Sequence, residues 1–364
     1  MAVSSAVHLG GSGIGPTDGP LTVEELALAF RNREMPLEAL RYDRTPTGLH
    51  YLVVHWDIPV VEPEGWTIRV GGRVGRPFEL TLADLIARPA QTIAVTLECA
   101  GNGRGLLEPR PVSLPWQLGA IGTAEWTGTS VWPLLEEAAI DPAATELVFR
   151  GADHGIQGEV EQDYERSLTI EEVRRPEVIL AWAMNGQPLE PQHGSPVRLI
   201  VPGWYGMTSV KWLTSIEAVD APFAGFQQAV GYHFLEREAE PGEPVTRMRV
   251  RALMIPPGQP DFFSRQRLVE AGAIRLTGRA WSGVSAVERV EVGVDGTWAE
   301  AALDDAVGPF AWRRWSFEWQ ALPGDHELAC RATDAAGRTQ PERAPWNLQG
   351  MGNNAVQRLR VAVR

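Results

Sequence analysis

The sequence after Pro244 alternates apolar and polar residues with a period of two. The alternation covers six segments, residues 245–255, 273–281, 286–294, 312–318, 327–332 and 356–363. Since successive side chains of a strand point to opposite faces, this pattern is typical of strands that bury one face. Asp295-Gly296 stands between two of the segments and is a strong hairpin-turn signal. We therefore predict an all-β sandwich of the immunoglobulin-like type over residues 243–364.

The sequence before this region mixes short strands and helices with long loops rich in glycine and proline. Strands are predicted at residues 67–70, 92–97, 146–150 and 197–201, and helices at residues 82–87 and 131–139. No G-x-G-x-x-G motif follows a strand, so a dinucleotide-binding fold is not indicated. We predict an α+β chain in which residues 46–242 form a loop-rich mixed α/β domain that ends in a connector.

Residues 1–45 are predicted to form an N-terminal arm and one short helix. The first 20 residues are rich in glycine, serine and proline, which indicates a poorly ordered segment. Thr22 directly precedes a helical segment, and Glu25 lies three residues after Thr22. This spacing is that of a capping box, so we expect the helix to begin after Thr22.

The composition excludes several classes of partner and location. The formal net charge of −13 and the pI of about 5.1 argue against nucleic acid and anionic membranes, which both require basic surfaces. We find no apolar run near the roughly 18 residues of a membrane helix and no export signal. A cytoplasmic location is therefore predicted. If the given sequence begins after a cleaved export signal, the periplasm is predicted instead. The sequence lacks a C-x-x-C-H motif, so no haem is expected in this chain.

Cys99 ends an apolar run and is followed at once by glycines, Asn102 and Arg104. A thiol at a strand end, close to a cation and to loop amides, is expected to have a low pKa. Such a thiol can be a nucleophile, a redox group or a metal ligand, whereas the alternative is a small apolar residue in a buried strand. Cys330 lies within an alternating segment, and we expect it to pack in the core.

A second segment, residues 193–213, contains a glycine-rich loop with hydroxyl groups and Lys211, the only lysine of the chain. Loops with exposed amides, hydroxyls and cations bind phosphate groups. The alternative is an ordinary surface loop. The single lysine in a chain that otherwise uses arginine favours a place where a compact charge is required.

These segments, in this order, resemble the sulfite oxidase family of molybdenum enzymes. The resemblance rests on the Cys99 loop, on Met184-Asn185-Gly186-Gln187-Pro188-Leu189, on residues 193–198 and 209–213, and on Trp346-Asn347-Leu348. It extends from about Tyr51 to the C-terminus, and the combination is highly specific although each piece is modest.

The resemblance implies a molybdenum ion bound to one molybdopterin, with Cys99 as the thiolate ligand of the metal. The cofactor contacts that it implies are His55, Asp153, His193, Arg198, Ser209 and Lys211. For the substrate it implies Arg104, Trp116 and Tyr232. The expected reaction is oxygen-atom transfer that oxidises sulfite, a small oxyanion, to sulfate. The resemblance also implies a homodimer through the sandwich, and since no haem is expected here, a separate electron acceptor such as a cytochrome.

The sequence departs from the family at two positions where sulfite-oxidising members have arginine, namely Val53 and Gln349. Each lost charge-assisted hydrogen bond weakens the binding of an anion by on the order of 1.5–3 kcal/mol. Either other cations replace them, with Arg110, His50 and His233 as candidates, or the substrate is less charged. The alternative function is therefore a reductase of sulfoxides, N-oxides or nitrate on the same scaffold. The alternative outside enzymes is an interaction protein without a cofactor.

Overall fold

The computed structural model describes residues 17–237 and 242–364, so most of the predicted N-terminal arm lies outside the described residues. The α-helices are α1 (Val23–Arg31), α2 (Leu82–Ile86), α3 (Trp132–Glu137) and α4 (Ile170–Val173). The capping box at α1 is confirmed, because Thr22 Oγ1 accepts from Glu25 N at 3.2 Å and Glu25 Oε2 accepts from Thr22 N at 2.9 Å. None of the described helices is long and apolar enough to span a membrane.

Two five-stranded sheets organise the part of the chain before the sandwich. Its strands are β1 (Thr67–Gly72), β2 (Phe78–Thr81), β3 (Gln91–Glu98), β4 (Ile121–Ser130), β5 (Glu146–Gln157), β6 (Val160–Thr169), β7 (Ile179–Met184), β8 (Gln187–Pro188), β9 (Arg198–Ile200), β10 (Leu213–Val219) and β11 (His233–Phe234). One sheet has the order β2-β1-β10-β5-β6, and the other has the order β3-β4-β7-β8 with β9 beside β7. β1 and β10 are parallel, whereas the other pairs are antiparallel. The predicted strands and helices of this part are present, within a few residues.

Short 3₁₀ helices and one π-helical turn lie in the loops. The 3₁₀ helices are Leu37–Arg41, Thr47–Leu49, Pro63–Gly65, Arg104–Leu106, Pro191–His193 and Gly206–Thr208. The predicted connector is more structured than expected, because it contains the π-helical turn Gln227–Gly231 and β11. This turn packs beside β6, which places the connector against the first sheet.

The C-terminal part is the predicted β-sandwich. Its strands are β12 (Glu243–Pro244), β13 (Arg251–Met254), β14 (Gln259–Pro260), β15 (Arg267–Val269), β16 (Gly272–Trp281), β17 (Val287–Val294), β18 (Thr297–Glu300), β19 (Ala302–Leu303), β20 (Arg313–Ala321), β21 (Gly324–Asp334) and β22 (Gln357–Val363). β13-β16-β20-β19 and β14-β15-β22-β21-β17-β18 form its two main sheets, and β12 pairs with β11. Apolar residues of both sheets form one core. Asp295 and Gly296 make the predicted turn between β17 and β18, with φ of +48° and +81°.

The strand predicted over residues 245–255 is shorter than expected, because β13 occupies only its last part. The preceding residues bond to the N-terminal part instead: Val245 N donates to Tyr232 O at 3.0 Å, and Met248 N donates to Gly203 O at 3.0 Å. Their apolar side chains enter a separate core between the two parts, together with Trp281 and Trp312. The alternation therefore correctly predicts that these side chains are buried, but the prediction that they pack within the sandwich is wrong, because they pack against the N-terminal part.

A buried ion pair also joins the two parts. Arg251 of β13 donates to Glu98 at the end of β3 at 2.8 Å, and both side chains are fully buried. Trp281 Nε1 and Asn102 Nδ2 donate to the same carboxylate, each at 2.9 Å. The residue that precedes Cys99 is therefore fixed by side chains of the sandwich.

Candidate active site

A cavity lies beside the ends of β3 and β9 and against β5 and β6. Eight of the residues named from the sequence contribute to its wall: His55, Cys99, Asp153, His193, Arg198, Ser209, Lys211 and Tyr232. Val53 also lies on the wall. Residues that are far apart in the sequence thus meet at one place, as the resemblance implies.

Cys99 follows β3 directly, and its backbone is fixed at both ends. Cys99 N donates to Ala120 O at 2.9 Å, and Asn102 N donates to Cys99 O at 2.9 Å. Burial raises the pKa of the Cys99 thiol, and the charge of Arg104, a hydrogen bond from Gly101 and one from Trp116 only partly oppose this. The prediction of a low pKa is therefore wrong for the chain by itself, since the sequence shows the cation but not the burial.

Arg104 and Trp116 lie behind the thiol and are not part of the cavity wall itself. Arg104 Nε donates to Gln349 O at 2.6 Å, and its Nη1 donates to Leu114 O at 3.1 Å. Trp116 is buried in a small cluster against which Val53 and Cys99 pack. Both side chains adjoin Cys99, so the three residues belong to one end of the site.

The other end of the cavity is cationic. Arg198 donates to His193 O at 2.9 Å and to Ser209 O at 3.1 Å, and Lys211 Nζ donates to Val53 O at 2.7 Å and to Gln192 O at 3.1 Å. Burial lowers the pKa of Arg198 to about 10 and also lowers the pKa of Lys211. These buried cations donate hydrogen bonds to carbonyl groups instead of water, and an anion bound between them would stabilise their charges.

The histidines around the cavity are neutral at neutral pH. Burial lowers the pKa of His50 and of His55 to about 4 each, and that of His193 to about 3. They can donate or accept hydrogen bonds but do not supply positive charge. Arg110, another candidate cation, is bound to the buried Glu25 of α1 instead of the cavity. The pKa of His233, a third candidate, is likewise lowered by burial. None of the three replaces the two arginines.

His55 and Tyr232 form the polar contact between the two ends. His55 Nε2 lies 2.8 Å from the Tyr232 hydroxyl, and the Tyr164 ring lies 4.9 Å from the His55 ring. Tyr164 donates its hydroxyl proton to Met207 O at 2.7 Å. Burial raises the pKa of Tyr232 to about 12, so its hydroxyl is protonated and can donate a hydrogen bond to a ligand.

Sequence reasoning missed several wall residues, among them Tyr51, Tyr164, Gln192 and Met207. Gln192 and Met207 stand inside the phosphate-type loop segment or next to it, so their positions could have been found. Tyr51 and Tyr164 carry no local signal, because an aromatic residue in or beside a strand is usually a core residue.

The wall fits a polar, anionic cofactor. Three buried atoms on it have no hydrogen-bond partner among residues 17–237 and 242–364: His50 Nε2, Asp153 Oδ1 and Arg198 Nε. Since nearly all buried polar atoms are paired, such atoms indicate a bound polar group. Burial also raises the pKa of Asp153 to about 6, against the opposing charge of Lys211. Among the described residues no three His, Cys, Asp or Glu side chains form a metal cluster, so Cys99 would be a single ligand of a metal that brings its others.

Two family models match the sequence. The oxidoreductase molybdopterin binding domain matches residues 55–227, and the Mo-co oxidoreductase dimerisation domain matches residues 243–364. The mitochondrial sulfite oxidase of Homo sapiens is 34% identical, and the match covers 91% of this chain and 64% of that protein. This chain belongs to the sulfite oxidase family of molybdopterin oxidoreductases. Its cofactor is accordingly molybdenum bound to molybdopterin.

The family also includes reductases. The NADH nitrate reductase 1 of Oryza sativa subsp. japonica is 31% identical, with 91% of this chain and 40% of that protein covered. The chain therefore spans less than two thirds of the length of either relative. Among solved structures, the sulfane dehydrogenase SoxCD of Paracoccus pantotrophus superimposes with a TM-score of 0.80, at 24% identity, over 95% of this chain and 93% of that one. This similarity confirms the predicted fold, a mixed α/β domain followed by a β-sandwich.

Proposed function

We propose that this protein oxidises sulfite to sulfate by oxygen-atom transfer. The observation that carries the proposal is the thiol of Cys99, which lies beside Arg104 on a cavity whose opposite end is formed by Arg198 and Lys211. The relation to the human enzyme that bears the name sulfite oxidase supports it. The reaction consumes one water and releases two electrons and two protons for each sulfite.

The cationic end of the cavity would hold the cofactor. Lys211 and Arg198 have the charge, Ser209 has the hydroxyl and His193 has the neutral ring that a phosphate group requires. Asp153 and His55 would bond to polar atoms of the pterin, and Asp153 Oδ1 has no hydrogen-bond partner within the described part of the chain. When bound, the cofactor supplies the oxygen-atom transfer and takes up the two electrons.

The residues at the thiol end would bind and orient the substrate. The neutral Tyr232 hydroxyl donates a hydrogen bond to an oxyanion, and the Arg104 guanidinium attracts its charge. Cys99 would hold the metal through sulfur, a soft ligand that suits a thiophilic ion. Trp116 packs beside Cys99 and excludes water from this end.

A second candidate, nitrate reduction, is favoured by Val53 and Gln349. An apolar side chain lines the cavity at position 53, and at position 349 the backbone oxygen, not a cation, meets Arg104. A monoanion such as nitrate requires less positive charge than a dianion does. The rice nitrate reductase among the relatives is consistent with this candidate.

The test is the visible spectrum of protein purified after molybdenum-replete expression. We expect an absorption band from the bond between the Cys99 sulfur and the oxidised metal, and we expect anaerobic sulfite to bleach it. A band that persists with sulfite, in protein whose dithionite-reduced form is reoxidised by nitrate, would replace sulfite oxidation by nitrate reduction. Protein without molybdenum and without the band would contradict both.

We propose further that the protein works as a homodimer and passes electrons to a separate acceptor protein. The match to a dimerisation domain supports the first point, and light scattering of the full chain tests it. The net charge of −13 favours a basic acceptor such as a cytochrome, and a rate that falls as salt increases would support this. The cytoplasmic location stays a prediction, which cell fractionation tests.

A further inference from the structure

Arg166 of β6 is a buried cation that has no anionic partner among the described residues. Its side chain is only 2% exposed, and one of its terminal nitrogens donates to Gln227 O in the π-helical turn. In the described part of the chain its Nε has no hydrogen-bond partner, and the titratable groups beside it are the two tyrosines Tyr164 and Tyr232, not a carboxylate. A buried charge without a counter-ion is costly, so this arrangement requires an explanation.

Three other deeply buried arginines of the described chain are paired with carboxylates. Arg251 pairs with Glu98, Arg267 with Glu38 and Arg279 with Asp43. Arg104 and Arg198 resemble Arg166, because within the described chain they donate only to uncharged oxygens. Both arginines adjoin the cavity. The lack of a carboxylate therefore distinguishes the arginines around the site from those that hold the fold together.

Arg166 lies against Tyr232, and Tyr232 lines the cavity. Its guanidinium carbon lies 5.4 Å from the centre of the Tyr232 ring, and the Tyr232 hydroxyl forms part of the cavity wall beside His55. The charges of Arg166 and Arg104 both lower the pKa of the Tyr232 hydroxyl, against the effect of burial. Tyr232 therefore lies within the electrostatic reach of both arginines, at the end of the cavity that contains Cys99.

We propose that Arg166 is a specificity-determining residue that supplies, from behind Tyr232, the positive charge that Val53 and Gln349 do not supply. It selects a doubly charged oxyanion such as sulfite or sulfate over neutral substrates. It acts as a positioning residue, since it polarises and holds Tyr232 and does not itself line the cavity. The inference rests on the proposed function for the identity of the oxyanion, but not for the presence of an anion site.

The test compares variants of the molybdenum-loaded protein that keep or remove this charge. Arg166→Gln retains a donor for the Gln227 carbonyl but has no charge, whereas Arg166→Lys retains the charge. We measure the dissociation constant of inorganic sulfate by calorimetry, together with kcat and KM for sulfite. For Arg166→Gln we expect sulfate binding and KM to weaken by about tenfold or more, with a smaller change in kcat. Arg166→Lys should stay within about threefold of the parent.

A charge placed elsewhere on the wall distinguishes an electrostatic role from a structural one. Val53→Arg in the Arg166→Gln background should restore most of the sulfate affinity, which a merely structural defect would not allow. Arg150→Gln is the control, because Arg150 is an exposed residue of the neighbouring strand that pairs with Glu165, and it should leave sulfate binding unchanged.

Equal losses in Arg166→Lys and Arg166→Gln, or no rescue by Val53→Arg, would overturn the inference. So would unchanged sulfate binding in Arg166→Gln. Should Arg166→Gln fail to fold, Arg166→Met with Val53→Arg takes its place, and unrestored sulfate binding there overturns the inference. If the parent protein binds sulfate through Arg166 but does not oxidise sulfite, the anion site stands and the proposed function fails.

Discussion

Cys99 and Cys330 carry the same thiol in two different surroundings. Cys99 lies on the cavity wall, whereas Cys330 is enclosed in the sandwich core, where its sulfur lies 3.5 Å from Gln357 Oε1. We expect Cys99→Ser to abolish turnover and the absorption band of the metal–thiolate bond while the fold is retained, because a serine oxygen is a harder and more basic ligand. Activity, the spectrum and the circular dichroism of the variant check this.

Cys330→Ser is the matched control for that change. It should keep the band and the activity and lose only stability, by about 1–3 kcal/mol, because a hydroxyl group enters an apolar core. Full activity in Cys99→Ser would remove Cys99 from the metal.

Val53 occupies a position where one added charge should change substrate binding. We expect Val53→Arg together with Gln349→Arg to lower KM for sulfite by several-fold, since each charge-assisted hydrogen bond contributes about 1.5–3 kcal/mol and part of this is lost to desolvation. Steady-state kinetics measure the effect. Val60→Arg is the control, because Val60 is 97% exposed and lies outside the cavity wall. An unchanged KM would mean that positions 53 and 349 do not face the substrate.

Individual residues show where the sequence suffices and where it does not. Cys99, Arg198 and Lys211 could be found because each stands in a short, distinctive segment. Arg166 could not, because an arginine within a polar stretch of sequence is normally a solvated residue, and its partner Tyr232 is brought to it only by the π-helical turn. The raised pKa of Cys99 was missed for the same reason, since burial depends on chain segments far away in the sequence.

At the scale of elements, the β17–β18 turn and the strand β21 are joined by a histidine–aspartate pair. His326 Nδ1 lies 2.7 Å from Asp295 Oδ2, and this bond raises the pKa of His326 and contributes to lowering that of Asp295. The pair stabilises the fold fully between the ordinary pKa values of aspartate, about 3.9, and histidine, about 6.5. Its contribution is lost as the pH rises through the raised pKa of His326.

His326→Gln should therefore lower the midpoint of thermal unfolding more at pH 5.5 than at pH 9. The effect should be below about 1 kcal/mol, because the pair is partly exposed. Asp325→Asn is the control, since Asp325 acts on His326 by charge alone and should show a weaker pH dependence. A deficit that is equal at both pH values would contradict the prediction.

The elements themselves were largely predictable, and the exceptions have a common cause. Period-two alternation and the Asp295-Gly296 turn gave the strands of the sandwich, and the capping box gave α1. The segment before β13 alternates equally well, yet it bonds to Gly203 and Tyr232 of the other part of the chain. Alternation reports which faces are buried and carries no information about the partner that buries them.

At the scale of the whole molecule, the ion pair of Glu98 and Arg251 couples the two parts. We expect Arg251→Gln to reduce the free energy of unfolding by about 3–5 kcal/mol, because it leaves a buried carboxylate without its charge partner. Urea unfolding followed by tryptophan fluorescence measures it. Arg358→Gln, which breaks a largely exposed pair with Glu327, should cost about 0–1 kcal/mol. Similar losses in the two variants would show that the junction does not stabilise the fold.

The loop that carries Cys99 is bonded to the sandwich along its backbone. Gly352 N donates to Ala100 O at 2.7 Å, Asn353 Nδ2 donates to Gly103 O at 2.8 Å, and Arg104 donates to the Gln349 carbonyl. The proposed metal ligand is therefore supplied by one half of the protein and held in place by the other. If either half were exchanged for that of a distant relative, the residues on both sides of this contact would have to be exchanged together. The two halves can therefore diverge only as a matched pair.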